Sequence, residues 1–358
     1  MAYKIMILGA SYGSLLGSKL AAAGHDVTLV CRQKTADLIN TKGTEVRIKL
    51  RGEDTHRSFL SKSLCGQTNA VTPEHAQPQQ YDLICLAMQE PQYSHPSLTD
   101  LLSRIARAKV ACMSIMNMPP LPYLKRISSL DCSKLTEAFL NPEIWSEFDP
   151  SLMTLCSPDP QAYRPPEEDP NVLHVGLPTN FKVSKFNNPE LDRMLENISA
   201  DVDAFRVDGK EVPVKLRVFE SLFVPFAKWA MLATGNYRCI TQAGPRSIQS
   251  SVHSNIAQSE SIYDFVNKLV VTLGADHGDM VPFAKYSTAA EGLRNPSSAA
   301  RAVFSGASNI ERVDKLIKLT ADSLSMHNAE IQEIVAVVDA ELATQINRPA
   351  YNLNSLVS

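Results

Sequence analysis

Along the first third of the chain, short runs of apolar and β-branched residues alternate with longer stretches whose apolar positions recur at helical spacing. Residues 4–8, 26–31, 82–87 and 109–115 read as strands, and residues 12–23 and 97–106 as helices between them. That order is the one βαβ units make around a parallel sheet. Residues 157–170, rich in Pro, Asp and Glu, predict a surface loop leading into a strand over 172–176. A helix over 189–198 follows, and residues 204–207 are expected as the last strand of this domain. Beyond Lys215 the texture changes, and helical periodicity fills 216–234, 256–273, 309–324 and 329–343. An α/β domain over residues 1–210 is therefore expected, followed by a mostly α-helical domain over 211–358.

At 358 residues the chain is long enough for two domains that each bury a core. Hydrophobic residues make up 44% and charged residues 20%, and no apolar stretch approaches the ~20 residues that a bilayer-spanning helix needs. No membrane partner is expected. The chain runs from Met1 into an apolar strand without the ordered regions of a secretory signal, so a cytoplasmic protein is expected. A formal net charge of -3 argues against nucleic acid, which calls for a concentrated basic face. Seven cysteines stand singly, with no Cys-x-x-Cys or His-x-x-x-His pair, which predicts reduced thiols and no bound metal.

The sharpest local signal is the strand at 4–8 running into Gly9-Ala10-Ser11-Tyr12-Gly13-Ser14, then a helix and a second strand, at βαβ spacing. Open N–H groups and the helix dipole at such a turn favour a dinucleotide diphosphate. Gly9 makes the tight turn, while Gly13 and Gly17 share a helix face that presses against the sheet. The usual Gly-x-Gly-x-x-Gly is altered, with Ser11 at the second glycine or one residue missing. A serine Cβ crowds a phosphate, though its hydroxyl offers a bond in exchange. Residues 1–210 are read as a Rossmann domain. At the end of the second strand, where a carboxylate would bond ribose hydroxyls, the chain carries Cys31-Arg32-Gln33-Lys34. The forked donors of Arg32, with Lys34 beside it, suit a 2′-phosphate, so NADP(H) is expected rather than NAD(H).

With these residues the chain resembles the ketopantoate reductase superfamily, whose members join a glycine-rich first turn to an Ala-Gly-His-x-Val-Thr-Leu-type second strand ending in arginine. Residues 82–89 are similar to the strand and loop beside the nicotinamide, which implies cofactor contacts at Ala87 and Met88. Residues 111–119 are similar to a strand that closes on Asn-Gly, which implies another at Asn117, although Met118 replaces the glycine. Residues 274–282 resemble the family's Ala-x-x-x-Gly-x-x-Pro turn, and Pro296-Ser297-Ser298 with Gly306 and Glu311 resembles its serine-rich segment. The resemblance implies NADPH-dependent hydride transfer to a small 2-oxo acid or related carbonyl. The helical domain would hold the small-molecule substrate and, in a homodimer, the subunit interface.

The family's catalytic lysine opens a Lys-Leu-x-x-Asn-x-x-x-Asn pattern on the first long helix of the second domain and protonates the carbonyl oxygen. Lys215-Leu216 is the nearest match, with Phe219 and Phe223 in the asparagine places. A shifted register puts Glu220 in the lysine place and Lys228 in the second asparagine place. Lys215 and Lys228 are the candidate proton donors, and Glu311 is the candidate to orient a substrate hydroxyl or amine. Asn236, Ser298 and Arg301 are candidate substrate ligands, Arg301 through a bidentate carboxylate pair. The lost asparagines make ketopantoate itself an unexpected substrate. Two other readings compete. One is opine dehydrogenase-type reduction of an imine, which leans on a helical histidine that residues 215–234 lack. The other is a sensor that binds NADP without turnover.

Overall fold

Strands of a parallel sheet are covered on both faces, and the apolar runs of this chain become such strands. In the computed structural model, which describes residues 2–346, the strands in chain order are β1 (Lys4–Leu8), β2 (Asp26–Val30), β3 (Glu45–Lys49), β4 (His56–Leu60), β5 (Thr68–Val71), β6 (Leu83–Leu86), β7 (Ala111–Ile115), β8 (Met153–Ser157), β9 (Gln161–Tyr163), β10 (Val172–Leu177), β11 (Phe181–Ser184), β12 (Arg206–Val207), β13 (Lys210–Glu211) and β14 (Leu216–Phe219). The helices are α1 (Gly13–Ala22), α2 (Gln33–Lys42), α3 (Pro96–Ala108), α4 (Leu121–Leu124), α5 (Pro189–Ala204), α6 (Ala227–Met231), α7 (Ile248–His253), α8 (Ile256–Leu273), α9 (Phe283–Ala290), α10 (Ser298–Phe304), α11 (Val313–Ser323) and α12 (Ala329–Ile346). One unit comprises the residues up to Ser128 together with Asn141–Pro225, and the other comprises Ser129–Leu140 and the residues from Phe226 onward.

In the first unit eight strands form one sheet in the order β14-β11-β8-β7-β6-β1-β2-β5. The run from β5 to β8 is parallel throughout, and β11 returns antiparallel to β8. β1 lies between β2 and β6, where the chain reverses its direction of travel across the sheet. In open α/β sheets the crevice beyond the strand ends at such a point is where ligands bind. The register pairs Leu8 with Val30 on one side and Leu86 on the other, so Gly9 emerges level with Cys31 and Ala87. This is the Rossmann-type architecture that the alternation of strands and helices predicts.

Residues 204–207 are not the last strand of this sheet. α5 continues to Ala204, and β12 pairs only with β13 in a two-stranded hairpin. The sheet closes instead on β14, parallel to β11, inside the segment expected as helix. Leu216-Arg217-Val218-Phe219 is an edge strand with Leu216 buried, and its few apolar residues fit a helical stripe as well as a strand. A second sheet, β4-β3-β10-β9, contains the strand expected over 172–176 as β10, beside three strands not predicted from the sequence. Its signal is the alternation in β3, where Val46 and Ile48 are buried while Glu45, Arg47 and Lys49 keep exposure. Arg47 pairs there with Glu45 at 2.6 Å and with Glu168, and the predicted loop over 157–170 supplies β9.

The second unit is helical. α8 starts at Asn255, whose side chain accepts the Gln258 N–H at 3.1 Å, and ends at Gly274. The 3-10 turn Cys132–Ala138 packs on α11, and the Ser129 hydroxyl donates to the Leu273 carbonyl at 3.0 Å. Among the described residues no helix is long and apolar enough to cross a membrane.

Lys19 on α1 is 5% exposed, donates to the Val212 carbonyl at 3.1 Å and lies over the Phe205 ring. Burial above all, with Lys215 and Arg206 adding, pushes its ammonium down from 10.5 to about 7. Between those values unfolding takes up a proton, so stability rises with pH by up to about 1.4 kcal/mol per unit. Lys19→Met is therefore expected to be more stable than the wild type at pH 7 and to lose that margin as the pH is raised to about 9.5, as read by urea unfolding. A margin that stays constant over this range would refute the assignment.

Candidate functional site

Beyond β1, Gly9 turns the backbone with φ +102°, a region that side chains with a Cβ disfavour. A Cβ on Gly9 would stand 2.8 Å from the Ala87 carbonyl oxygen and 2.8 Å from Met88 Cγ, so the turn lies directly against the end of β6. Gly13 is confined in the same way, since its Cβ would meet Ile7 Cγ2 at 2.7 Å. The first helical bonds run from Ser14 N to the Ser11 carbonyl at 3.2 Å and from Leu15 N to the Tyr12 carbonyl at 3.1 Å. Among the described residues the N–H groups of Ala10, Ser11, Tyr12 and Gly13 therefore meet no backbone acceptor. Four open donors at the positive end of α1 fit the oxygens of a dinucleotide diphosphate.

The side chains of the turn play different parts. Ser14 is buried and gives its hydroxyl to the Ala10 carbonyl, whereas Ser11 is exposed. Tyr12 sets its ring edge-on against Phe181, with centroids 5.7 Å apart, and donates its hydroxyl to the Pro160 carbonyl at 2.7 Å. Burial, with smaller effects of Cys156 and Asp159, holds this phenol far above its ordinary range, so it remains a donor. Arg164 reaches the same turn and donates to the Ala10 carbonyl at 3.0 Å.

At the end of β2, Arg32 is the extended residue that precedes α2. Arg32 and Lys34 are exposed, and among the described residues neither has a carboxylate within ion-pair distance. Both are open to an anion. Ala87 continues β6 and bonds its N–H to the Leu8 carbonyl at 3.0 Å, and the Met88 N–H donates to the Tyr93 hydroxyl at 3.1 Å. Asn117 lies two residues past β7 and is half-buried, while Met118, where the family has glycine, is wholly buried.

In the helical unit α6 passes into a π-turn over Leu232–Asn236 and then a 3-10 turn over Tyr237–Cys239. Such wide turns insert one residue and recur at functional sites. The Tyr286 hydroxyl donates to the Met231 carbonyl at 3.1 Å, just before the wide turn. Between Ala227 and Ile240 only Lys228, Met231 and Asn236 keep partial exposure. Eight residues of regular helix would set Lys228 and Asn236 about 80° apart, and the inserted residue brings them within roughly 20°, on one face. Ser297 ties down the end of this stripe. Its hydroxyl donates to the Asn236 carbonyl at 2.7 Å and accepts the Ala300 N–H at 3.1 Å. Tyr237 donates to the Glu311 carbonyl at 2.5 Å and accepts the Val313 N–H at 3.0 Å, with Glu311 buried beside it.

Lys215 does not stand where the sequence expectation put it. It precedes β14 in the first unit, and its ammonium bridges Asp203 and Glu211, the latter at 3.3 Å. Phe219 ends β14, so the register starting at Lys215 describes a strand and not a helix. Set at Lys228, the same family pattern puts Leu232 and Asn236 in the two asparagine places. In the sequence Lys228 and Asn236 are separate candidates, not joined by this spacing, because Trp229 follows the lysine and Leu232 replaces the first asparagine. Ser298 and Arg301 are exposed on α10, and it is Ser297 that touches Asn236. Among the described residues no group of three or more His, Cys, Asp or Glu side chains could hold a metal ion.

Residues 5–117 match the family model of ketopantoate reductase PanE/ApbA. No curated protein sequence matches the chain. The fold is similar to that of 2-dehydropantoate 2-reductase from Methylococcus capsulatus, with a TM-score of 0.66 and 13% identity over 97% of this chain and 98% of that one. It is similar also to the PanE/ApbA family ketopantoate reductase from Ralstonia eutropha JMP134, with a TM-score of 0.64 and 14% identity over 96% of this chain and 99% of that one. A third solved structure, D-mandelate dehydrogenase with NADH and anilino(oxo)acetate, gives 0.63 and 12% over 96% and 99%. At these identities the likeness is one of fold, and it spans nearly the whole chain. The resemblance read from the glycine turn and second strand thus holds, in a divergent sequence.

The π-turn offers a direct test of this packing. A Cβ on Gly235 would lie 2.0 Å from the Tyr286 hydroxyl, whose tyrosine is 6% exposed. Gly235→Ala is expected to destabilise the protein by about 1–3 kcal/mol, overriding the better helix propensity of alanine. Tyr286→Phe removes the offending oxygen, so the double variant should recover part of that loss in thermal unfolding. A Gly235→Ala protein as stable as the wild type would contradict the packing.

Proposed function

We propose, from the ketopantoate reductase domain matched over residues 5–117, that the chain is an NADPH-dependent reductase acting on the carbonyl of a small 2-oxo acid. The row of open amides from Ala10 to Gly13 carries this reading, since four donors at a helix head call for a diphosphate. Arg32 and Lys34, exposed and without carboxylate partners among the described residues, support a 2′-phosphate beside the end of β2 and hence NADPH. The oxo acid is supported by the fold neighbour D-mandelate dehydrogenase, whose ligand anilino(oxo)acetate carries an oxo-acid group.

When bound, the reduced nicotinamide supplies the hydride. Lys228 holds a proton at Nζ and gives it to the carbonyl oxygen while the carbon gains the hydride, which leaves a 2-hydroxy acid. Asn236, on the same helix face, hydrogen-bonds the substrate, and Ser297 positions it through the Asn236 carbonyl. Glu311 orients the substrate hydroxyl from beside Tyr237. Leu232, in the place of the family's first asparagine, is buried and offers the substrate no polar group, which weighs against ketopantoate itself as the substrate.

Fluorescence titration is expected to find tighter binding of NADPH than of NADH. Arg32→Glu should weaken NADPH by about 1–3 kcal/mol and leave NADH nearly unchanged, whereas equal losses would remove the 2′-phosphate assignment. Lys228→Met should lower turnover of a 2-oxo acid panel by a factor on the order of 10²–10⁴, with NADPH affinity kept within about twofold. Tight NADPH binding with no 2-oxo acid reduced by the wild type would support a sensor and overturn the enzyme.

A further inference from the structure

The segment between β8 and β10 reads as a surface loop, yet it reaches the strand ends where the glycine turn lies. Arg164, just past β9, donates through Nη2 to the Ala10 carbonyl at 3.0 Å, and its charge also bears on Cys31 at the end of β2. Since Leu8 and Val30 are register partners, Ala10 and Cys31 stand beyond neighbouring strand ends. The guanidinium is therefore held at the end of β1, within electrostatic range of Cys31, the residue before Arg32.

Its surroundings leave its charge unanswered. Arg164 is half-buried, and among the described residues it has one neutral acceptor for five N–H donors and no carboxylate within ion-pair distance. Cys31 supplies no anion, because burial pushes its thiol up to about 11. Pinning the loop to the turn needs a single N–H, which a neutral side chain would provide without the cost of partly burying a charge. Arg126 shows the contrast. That half-buried guanidinium spends its fork on two carbonyls, of Met153 at 2.9 Å and Lys185 at 2.8 Å.

We propose that Arg164 is a second phosphate ligand of the dinucleotide site, acting with Arg32 on phosphoryl oxygens at the ends of β1 and β2. The inference rests on the dinucleotide reading of the glycine turn. Either the 2′-phosphate or the diphosphate supplies the shared chemistry, a doubly accepting anionic oxygen pair that a guanidinium fork matches.

Calorimetric titration of the full chain with NADPH and with NADH, in the wild type, Arg164→Gln and Arg164→Lys, separates the outcomes, with thermal unfolding of each variant alongside. Arg164→Gln is expected to weaken NADPH about ten- to hundredfold, and Arg164→Lys about three- to tenfold because it keeps the charge and loses the fork. A loss confined to NADPH assigns the 2′-phosphate, and equal losses for both dinucleotides assign the diphosphate. If the glutamine variant does not fold, the lysine variant decides by the same comparison. Wild-type affinity for both dinucleotides in every variant that folds overturns the role of Arg164 and leaves the dinucleotide reading standing. A wild type that binds neither dinucleotide overturns both.

Discussion

The contact between the start of α1 and the sheet is the constraint on which the rest of the first unit depends. Gly9 and Gly13 have no Cβ, and in each place a Cβ would fall within 2.8 Å of Ala87, Met88 or Ile7. The turn can therefore lie flat on the ends of β1 and β6, which leaves the amides of residues 10–13 directed away from any backbone acceptor among the described residues. The altered motif also becomes intelligible. Ser11 is exposed and is not among the residues with positive φ, so the shortened turn asks nothing there that only glycine could supply.

A second local irregularity organises the helical unit. The π-turn after α6 shifts the helical phase by one residue, and Lys228, Met231 and Asn236 emerge on one partly exposed stripe while their neighbours are buried. Side chains from distant segments surround it. Tyr286 bonds the Met231 carbonyl and Ser297 the Asn236 carbonyl. Buried carbonyls freed by an irregular helix need such partners, which explains why these hydroxyls point inward rather than toward a ligand.

Charge is distributed unevenly through the structure. Lys215 answers Asp203 and Glu211, Arg47 answers Glu45 and Glu168, and Arg312 answers Asp314 and Asp339. Arg32, Lys34 and Arg164 gather near the end of β2 without carboxylate partners among the described residues. Arg32 and Lys34 are exposed, so it is the half-buried Arg164 whose unanswered charge departs from that pairing and fits an external anion.

The sequence by itself determined the elements whose signals are local. β1, α1 and β2 follow from apolar period and glycine spacing, and α8 falls where its periodicity placed it, because the pattern that marks each lies within its own length. The open amides of the glycine turn belong to the same class. Only the tertiary structure decided that Leu216–Phe219 is an edge strand, because the pairing with β11 outweighs an ambiguous apolar pattern. It likewise placed Lys215 in an ion-pair cluster, gave the helix its π-turn at Gly235 through Tyr286, and carried Arg164 to Ala10 across 154 positions of chain. Those features arise from contacts between residues far apart in sequence, which a periodicity read along the chain does not register.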